Sequence, residues 1–85
     1  MDRDKVLKEI LDIRVRIDEI DEEIVALLKE RIELCRKIGE LKRLLGMEIV
    51  DRKREKIVFE RAGEFKDVFA VIVEKCKEVQ KLEHV

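Results

Sequence analysis

The sequence predicts an all-α protein with three helices in each chain, one of them very long, that forms an intertwined homodimeric helical bundle. Three observations predict this class. The 85 residues include no proline and only three glycines, while 46% are apolar and 48% are charged. Apolar side chains recur at alternating steps of three and four, which is the spacing of one helix face. The first helix would also be too long for the compact globule that one such chain could form.

The first predicted helix spans residues 3 to 45 and carries one continuous apolar seam. The seam positions are Val6, Ile10, Ile13, Ile17, Ile20, Ile24, Leu27, Arg31, Leu34, Ile38, Leu41 and Leu45. Arg31 is the one charged residue among them. At ~1.5 Å per residue this helix would be ~60 Å long. A compact chain of this size would have a diameter of only about 30 Å.

Two shorter helices account for the remaining residues. Gly46 is a suitable terminator for the first helix, and Asp51 can cap a second helix that begins "RKREKIVFERA". Gly63 breaks that helix, and a third follows from about residue 65 to 82. The apolar stripe of the third helix is Phe65, Phe69, Ile72, Cys76 and Val79. Both helices are too short to cover the seam, so we infer a second copy of the chain.

Composition excludes several classes of partner and site. The 20 basic and 21 acidic residues are interspersed and leave a net charge of −1, so neither nucleic acid nor an anionic membrane is indicated. No apolar run approaches a membrane span, and the first residues lack a signal-peptide core, so a cytoplasmic protein is expected. Cys35, Cys76 and His84 lack metal-ligand spacing, and we expect no metal, no cofactor and reduced thiols. Residues 1–85 are expected to form a single domain.

Arg31 is the sharpest functional signal in the chain. Its neighbours at three and four residues on the same helix are leucines and a cysteine, so no carboxylate can pair with it there. A buried charge without a partner costs several kcal/mol. Either another segment or a ligand should therefore supply an anion, unless the arginine only fixes the register of a helical seam.

Lys42 and Gly39 extend this signal along the same face of the helix. Lys42 follows Arg31 by eleven residues, which returns it to within ~20° of the same face and ~16 Å along the axis. Gly39 lies between them, and its missing Cβ would let a ligand approach the backbone. Arg14 precedes Arg31 by seventeen residues, ~25 Å away and on a different face. It could reach the same site only from a partner chain.

Two further clusters carry polar groups. Asp51 and Glu55 lie one turn apart at the start of the second helix, with Arg54 nearby. Cys76 and Gln80 are separated by four residues on the third helix, on or beside its apolar stripe. Each of these residues also has an ordinary structural explanation: Asp51 as an N-cap, Cys76 as a core residue and Gln80 as a boundary residue.

Together these positions resemble the pattern of the all-helical chorismate mutases. The segments are "IRVRIDEIDEEIVALLKERIELCRKIGELK" and "VDRKRE". They contain an arginine before "IDEID", then "LLxER", a "GxxK" step and "DxxRE". The resemblance implies three helices per chain entwined in a dimer, with two active sites each built from both chains. It also implies an isomerase that rearranges chorismate to prephenate for aromatic amino acid biosynthesis, without a cofactor.

The resemblance further implies which residues contact the substrate. They are Arg14, Arg31, Lys42, Asp51, Arg54, Glu55, Cys76 and Gln80. Arg14 from one chain and Arg31 from the other would hold carboxylates. Lys42 and Gln80 would approach the ether oxygen, with Lys42 also contacting a carboxylate. These four residues form the predicted catalytic set.

The remaining predicted contacts concern the ring hydroxyl and one carboxylate. Asp51 and Glu55 would lie near the hydroxyl, with Arg54 close by. Cys76 stands where the family pattern has a small hydroxyl-bearing residue, so its contact with a carboxylate should be weaker or absent. The connection "ERAGEFKDV" is shorter than the pattern by about three helical turns.

Two other functions are compatible with the same sequence. An isochorismate-pyruvate lyase would share the fold and much of the pattern. A non-catalytic helical dimerisation module would need only the seam. The charged positions at fixed spacing, on a helix that already requires a second chain, favour the mutase.

Overall fold

Residues 2–82 are described by a computed structural model, and they form helices joined by short connections, with no strand among them. Helix α1 spans Arg3–Leu45 and α2 spans Arg52–Ala62. A single 3-10 turn at Gly63–Phe65 leads directly into α3, which spans Lys66–Leu82. The predicted all-α class is confirmed. No helix among residues 2–82 combines the length and apolar character that crossing a membrane requires.

Local capping sets both ends of α1. The Asp2 side chain accepts a hydrogen bond from the Asp4 amide at 3.0 Å, which satisfies a donor of the first turn. At the other end Gly46 has φ 66°, a left-handed conformation that glycine adopts without a Cβ penalty. The Met47 amide then donates to the Lys42 carbonyl at 2.8 Å. The 43-residue helix makes the described molecule 64 Å long.

Helices α2 and α3 form a short hairpin, in which α3 packs on both α1 and α2. Asp51 caps α2 by accepting a hydrogen bond from the Arg54 amide at 3.0 Å. Gly63, with φ 58°, ends α2 and allows the sharp change of direction that the 3-10 turn continues. The predicted stripe on the third helix was wrong at its first position. Phe65 belongs to the 3-10 turn rather than to α3, and its side chain is 57% exposed in the single chain.

The buried residues lie where α3 packs on the second half of α1. Val73, Cys76 and Val79 are the buried apolar residues of the described chain, and Gln80 is buried beside them. Gly39 of α1 faces Gln80, and Arg31 faces Cys76. Arg31 precedes Gly39 on α1, and their partners follow in the same order on α3. Helices α1 and α3 therefore run in the same direction.

The apolar seam of α1 is not the face that α3 covers. From Ile10 to Ile24 the seam isoleucines are 38–56% exposed, and Leu27, Leu34, Ile38 and Leu41 are exposed as well. The positions that α3 shields are offset by one residue and include Leu28, Ile32, Cys35 and Gly39. Helix α1 therefore has two apolar faces, and Arg31 lies at the boundary between them.

Candidate functional site

A cavity of about 280 Å³ lies between the second half of α1, the loop before α2, the first turns of α2, and α3. Its lining consists of Arg31, Leu34, Cys35, Ile38, Lys42, Ile49, Asp51, Arg54, Glu55, Val58, Val73, Cys76 and Lys77. Six of the eight predicted substrate contacts are in this set. Four lining side chains are cationic and two are anionic, so the cavity has an excess of two positive charges. This charge suits a small dianion.

Arg31 enters the cavity from α1 and has no ionic partner among the described residues. Its Nη1 donates to Cys76 Sγ at 2.6 Å and also contacts Cys35 Sγ at 3.9 Å. Within residues 2–82, no carboxylate lies within ion-pair distance of this guanidinium. Thiols are weak acceptors and carry no charge when protonated. The positive charge of Arg31 is therefore positioned by two sulfur atoms but not neutralised by them.

Cys76 is a buried thiol that stays neutral at physiological pH. Burial raises the pKa of Cys76 to about 12, and the hydrogen bond with the Cys35 thiol acts in the same direction. The Arg31 guanidinium opposes both effects by favouring the thiolate, but it does not overcome them. A neutral Cys76 leaves the charge of Arg31 available to an anion in the cavity.

Because the pKa of Cys76 is raised, the free energy of unfolding decreases at alkaline pH. The folded pKa of Cys76 lies above the unfolded value of about 9, so the unfolded chain loses its proton first as pH rises. The resulting stabilisation is complete below pH 9 and decreases above it. Between pH 9 and 10 we expect the free energy of unfolding to fall by up to ~1.4 kcal/mol more in the wild type than in Cys76→Ala.

Urea unfolding at pH 8, 9 and 10, at one fixed protein concentration, measures this difference. Cys35→Ala is the matched control, because Cys35 is only half-buried and burial is the main cause of the Cys76 shift. It should keep most of the pH dependence of the wild type. Equal slopes in the wild type and Cys76→Ala would contradict the assignment.

Lys42 lies at the opposite end of the cavity from Arg31. Its Nζ donates to the Ile49 carbonyl at 3.0 Å and so ties the last turn of α1 to the loop that precedes α2. An ammonium group has three donors, and this carbonyl engages one of them. The loop thus orients the lysine and leaves two of its donors without a role in this contact.

Gln80 lies on α3 one turn beyond Cys76 and is buried rather than exposed to the cavity. A Cβ built on Gly39 would be 3.0 Å from Gln80 Cα, so the glycine permits this close approach of α3. The expectation that Gly39 opens the backbone to a ligand was wrong, because Gln80 fills that space. Gln80 Oε1 has no hydrogen-bond partner within the described residues, which is a costly state for a buried polar atom.

The start of α2 supplies the acidic side of the cavity. Asp51 Oδ1 is engaged by the Arg54 amide as the helix cap, so this carboxylate has a structural role whatever else it contacts. Glu55 Oε1 accepts a hydrogen bond from Lys77 Nζ at 2.7 Å. Sequence reasoning did not identify Lys77. The sequence did hold a signal for it: Lys77 follows Cys76 by one residue and precedes Gln80 by three, at the edge of the same face of α3.

Arg14 is the one predicted site residue that the single chain leaves far from the cavity. It lies about 25 Å along α1 from Arg31, within residues 11–20, all of which are exposed. His84 lies outside the described residues.

The chain matches a family model, curated proteins and a solved structure. A family model described as chorismate mutase type II matches residues 13–81. A chorismate mutase from Methanocaldococcus jannaschii is 32% identical over 87 residues, which cover 89% of this chain and 88% of that protein. A solved structure of a conserved hypothetical protein from Pyrococcus furiosus is 46% identical, with a TM-score of 0.84. The match covers 85% of this chain and 95% of that one.

Other relatives are much longer than this chain. A 3-dehydroquinate dehydratase from Pyrobaculum aerophilum is 44% identical over 68 residues, covering 80% of this chain but 23% of that protein. A bifunctional chorismate mutase/prephenate dehydratase from Aquifex aeolicus is 42% identical over 55 residues, covering 65% of this chain and 15% of that protein. The chain therefore spans less than a quarter of the length of these two relatives.

Proposed function

Because this chain belongs to the chorismate mutase type II family, we propose that it rearranges chorismate to prephenate in the cavity between α1, α2 and α3. The reaction is unimolecular: the ether C–O bond breaks while a C–C bond forms, and no atom enters or leaves. It needs no nucleophile, base or redox group. The observation that carries the proposal is the cationic cavity, in which Arg31 has no ionic partner among residues 2–82.

Two physical effects would accelerate this rearrangement. The substrate is a flexible dianion, and fixed cations at both ends of a small cavity would hold it in its compact reactive conformation. Negative charge grows on the ether oxygen as the C–O bond breaks, and preorganised donors would stabilise it. Lys42 and Gln80 are the proposed donors, while Arg31 and Arg14 hold carboxylates. For this role Gln80 would have to direct its amide NH2 toward the cavity, because the unpartnered atom in the described structure is the acceptor Oε1.

The predicted homodimer is part of the proposal. Exposed isoleucines and leucines along the α1 seam support a second copy as its cover, since a contiguous apolar face of this length is unfavourable in water. The second copy would also bring its Arg14 to the cavity and complete the site. With balanced charges, we propose a cytoplasmic enzyme that has neither nucleic acid nor membrane as partner.

Incubation of the purified protein with chorismate tests the function directly. We expect chorismate to disappear and prephenate to be the product, identified by chromatography against a standard and by its acid conversion to phenylpyruvate, because the two isomers have the same mass. A dicarboxylate transition-state analogue at 100 times its Kd should stabilise the protein by about 2.7 kcal/mol. A lyase would instead release salicylate and pyruvate from isochorismate. A dimerisation module would consume neither compound and would not be stabilised by the analogue.

A further inference from the structure

An ion pair with low exposure connects α2 to α3 at the cavity. Lys77 Nζ lies 2.7 Å from Glu55 Oε1, and the two side chains are only 24% and 21% exposed. The pair between Lys8 and Asp12 on α1, by contrast, has side chains that are 78% and 66% exposed. Solvent screens the Lys8 pair strongly and the Lys77 pair much less. The Lys77 pair can therefore affect the electrostatics of its surroundings.

The same pair separates two cavities. Glu55 and Lys77 line the 280 Å³ cavity, and both also line a more open cleft of about 780 Å³ on the outer side of α2. The pair is thus a wall of the candidate site. Neither residue can be moved or discharged without changing what the cavity presents to a ligand.

A carboxylate in this wall is unfavourable for the proposed substrate. Chorismate carries two carboxylates, and a third from Glu55 within the same small cavity would repel them. The ammonium of Lys77 offsets that repulsion and holds the Glu55 carboxylate against the wall. Without Lys77, the lining would have three cations and two anions, and its excess charge would no longer match a dianion.

We propose that Lys77 is a positioning residue that neutralises and orients Glu55, so that the cavity accepts a dicarboxylate. This inference rests on the proposed function and adds to it a determinant of substrate charge. Lys77 acts through Glu55 and does not contact the reacting atoms. Its removal should therefore weaken substrate binding far more than it slows the bond rearrangement.

A double-mutant cycle between Lys77 and Glu55 tests this mechanism. Lys77→Met should raise KM for chorismate about tenfold while kcat stays within about threefold of the wild type. Lys77→Arg, which keeps the charge, should restore most of the affinity. In a Glu55→Gln background, where the carboxylate charge is absent, Lys77→Met should change KM by less than about twofold. Lys81→Met, an exposed lysine on the same helix, is the matched control and should leave both constants unchanged.

Each alternative gives a different result. A KM penalty that persists in the Glu55→Gln background would mean that Lys77 contacts the substrate itself, and would overturn the inference. So would loss of the folded state in Lys77→Met, measured by circular dichroism, or a fall in kcat at constant KM. A wild-type protein that does not convert chorismate refutes the proposed function. A Lys77→Met protein as active as a functional wild type refutes only the role of Lys77.

Discussion

Lys42→Ala is expected to lower kcat for chorismate by about 10³-fold, the largest effect of any single substitution in the cavity. The ether oxygen gains negative charge only as the C–O bond breaks, so a cation aimed at it stabilises the transition state more than the bound substrate. The hydrogen bond from Lys42 Nζ to the Ile49 carbonyl holds the ammonium in place before the substrate arrives. KM should change much less than kcat.

Steady-state kinetics, with unfolding measured in parallel, separates catalysis from stability. Loss of the contact with Ile49 should cost only about 1 kcal/mol of folding free energy. Lys37→Ala is the matched control: Lys37 lies on the same helix, its side chain is 67% exposed, and it pairs with Glu40 at 3.9 Å. It should have wild-type kinetics. A Lys42→Ala protein that kept near-wild-type kcat would remove Lys42 from the mechanism.

Mixing Arg14→Ala chains with Arg31→Ala chains is expected to restore activity that neither variant has alone. Each pure variant should lose at least about 100-fold in kcat/KM, because every site then lacks one arginine that binds a carboxylate. In a mixed dimer, one site lacks both arginines and the other has both. Random reassembly of equal amounts should therefore recover about one quarter of the wild-type activity.

Native mass spectrometry should confirm that mixed dimers have formed before activity is measured. Arg16→Ala is a suitable control for Arg14→Ala, since Arg16 lies two residues away on α1 and pairs with Glu19 at 3.1 Å on the surface. It should retain full activity alone. Confirmed mixed dimers without any recovered activity would contradict a site shared between chains. A fully active Arg14→Ala protein would exclude Arg14 from the site.

Much of the local structure was predictable because its causes are local. The apolar spacing specified α1, and its observed bounds match the prediction. Asp51 and Gly46 marked helix ends through capping chemistry that depends on a few neighbouring residues. The absence of an acidic partner for Arg31 on its own helix was also predictable, since helical neighbours follow from spacing.

The sequence-based predictions that were wrong concern contacts between helices. Gly39 was expected to face a ligand, but the space beside it holds Gln80. Phe65 was placed on the buried stripe, but the turn after Gly63 leaves it exposed. Lys77 was missed altogether. In each case the outcome depends on the direction and rotation of α3 relative to α1 and α2, which no spacing within one helix specifies.

The sequence by itself determined the helical class, the elements with their caps, and the set of charged residues from which a dianion site could be built. Only the tertiary structure decided that six of those residues line one cavity, that α3 covers the face beside the seam and leaves the seam exposed, and that Lys77 lies within ion-pair distance of Glu55. Hydrogen bonding and side-chain spacing within a helix act over a few residues, and sequence reports them directly. The packing angle between helices depends on many weak contacts between distant residues, and the position of a charge in a cavity follows from that packing.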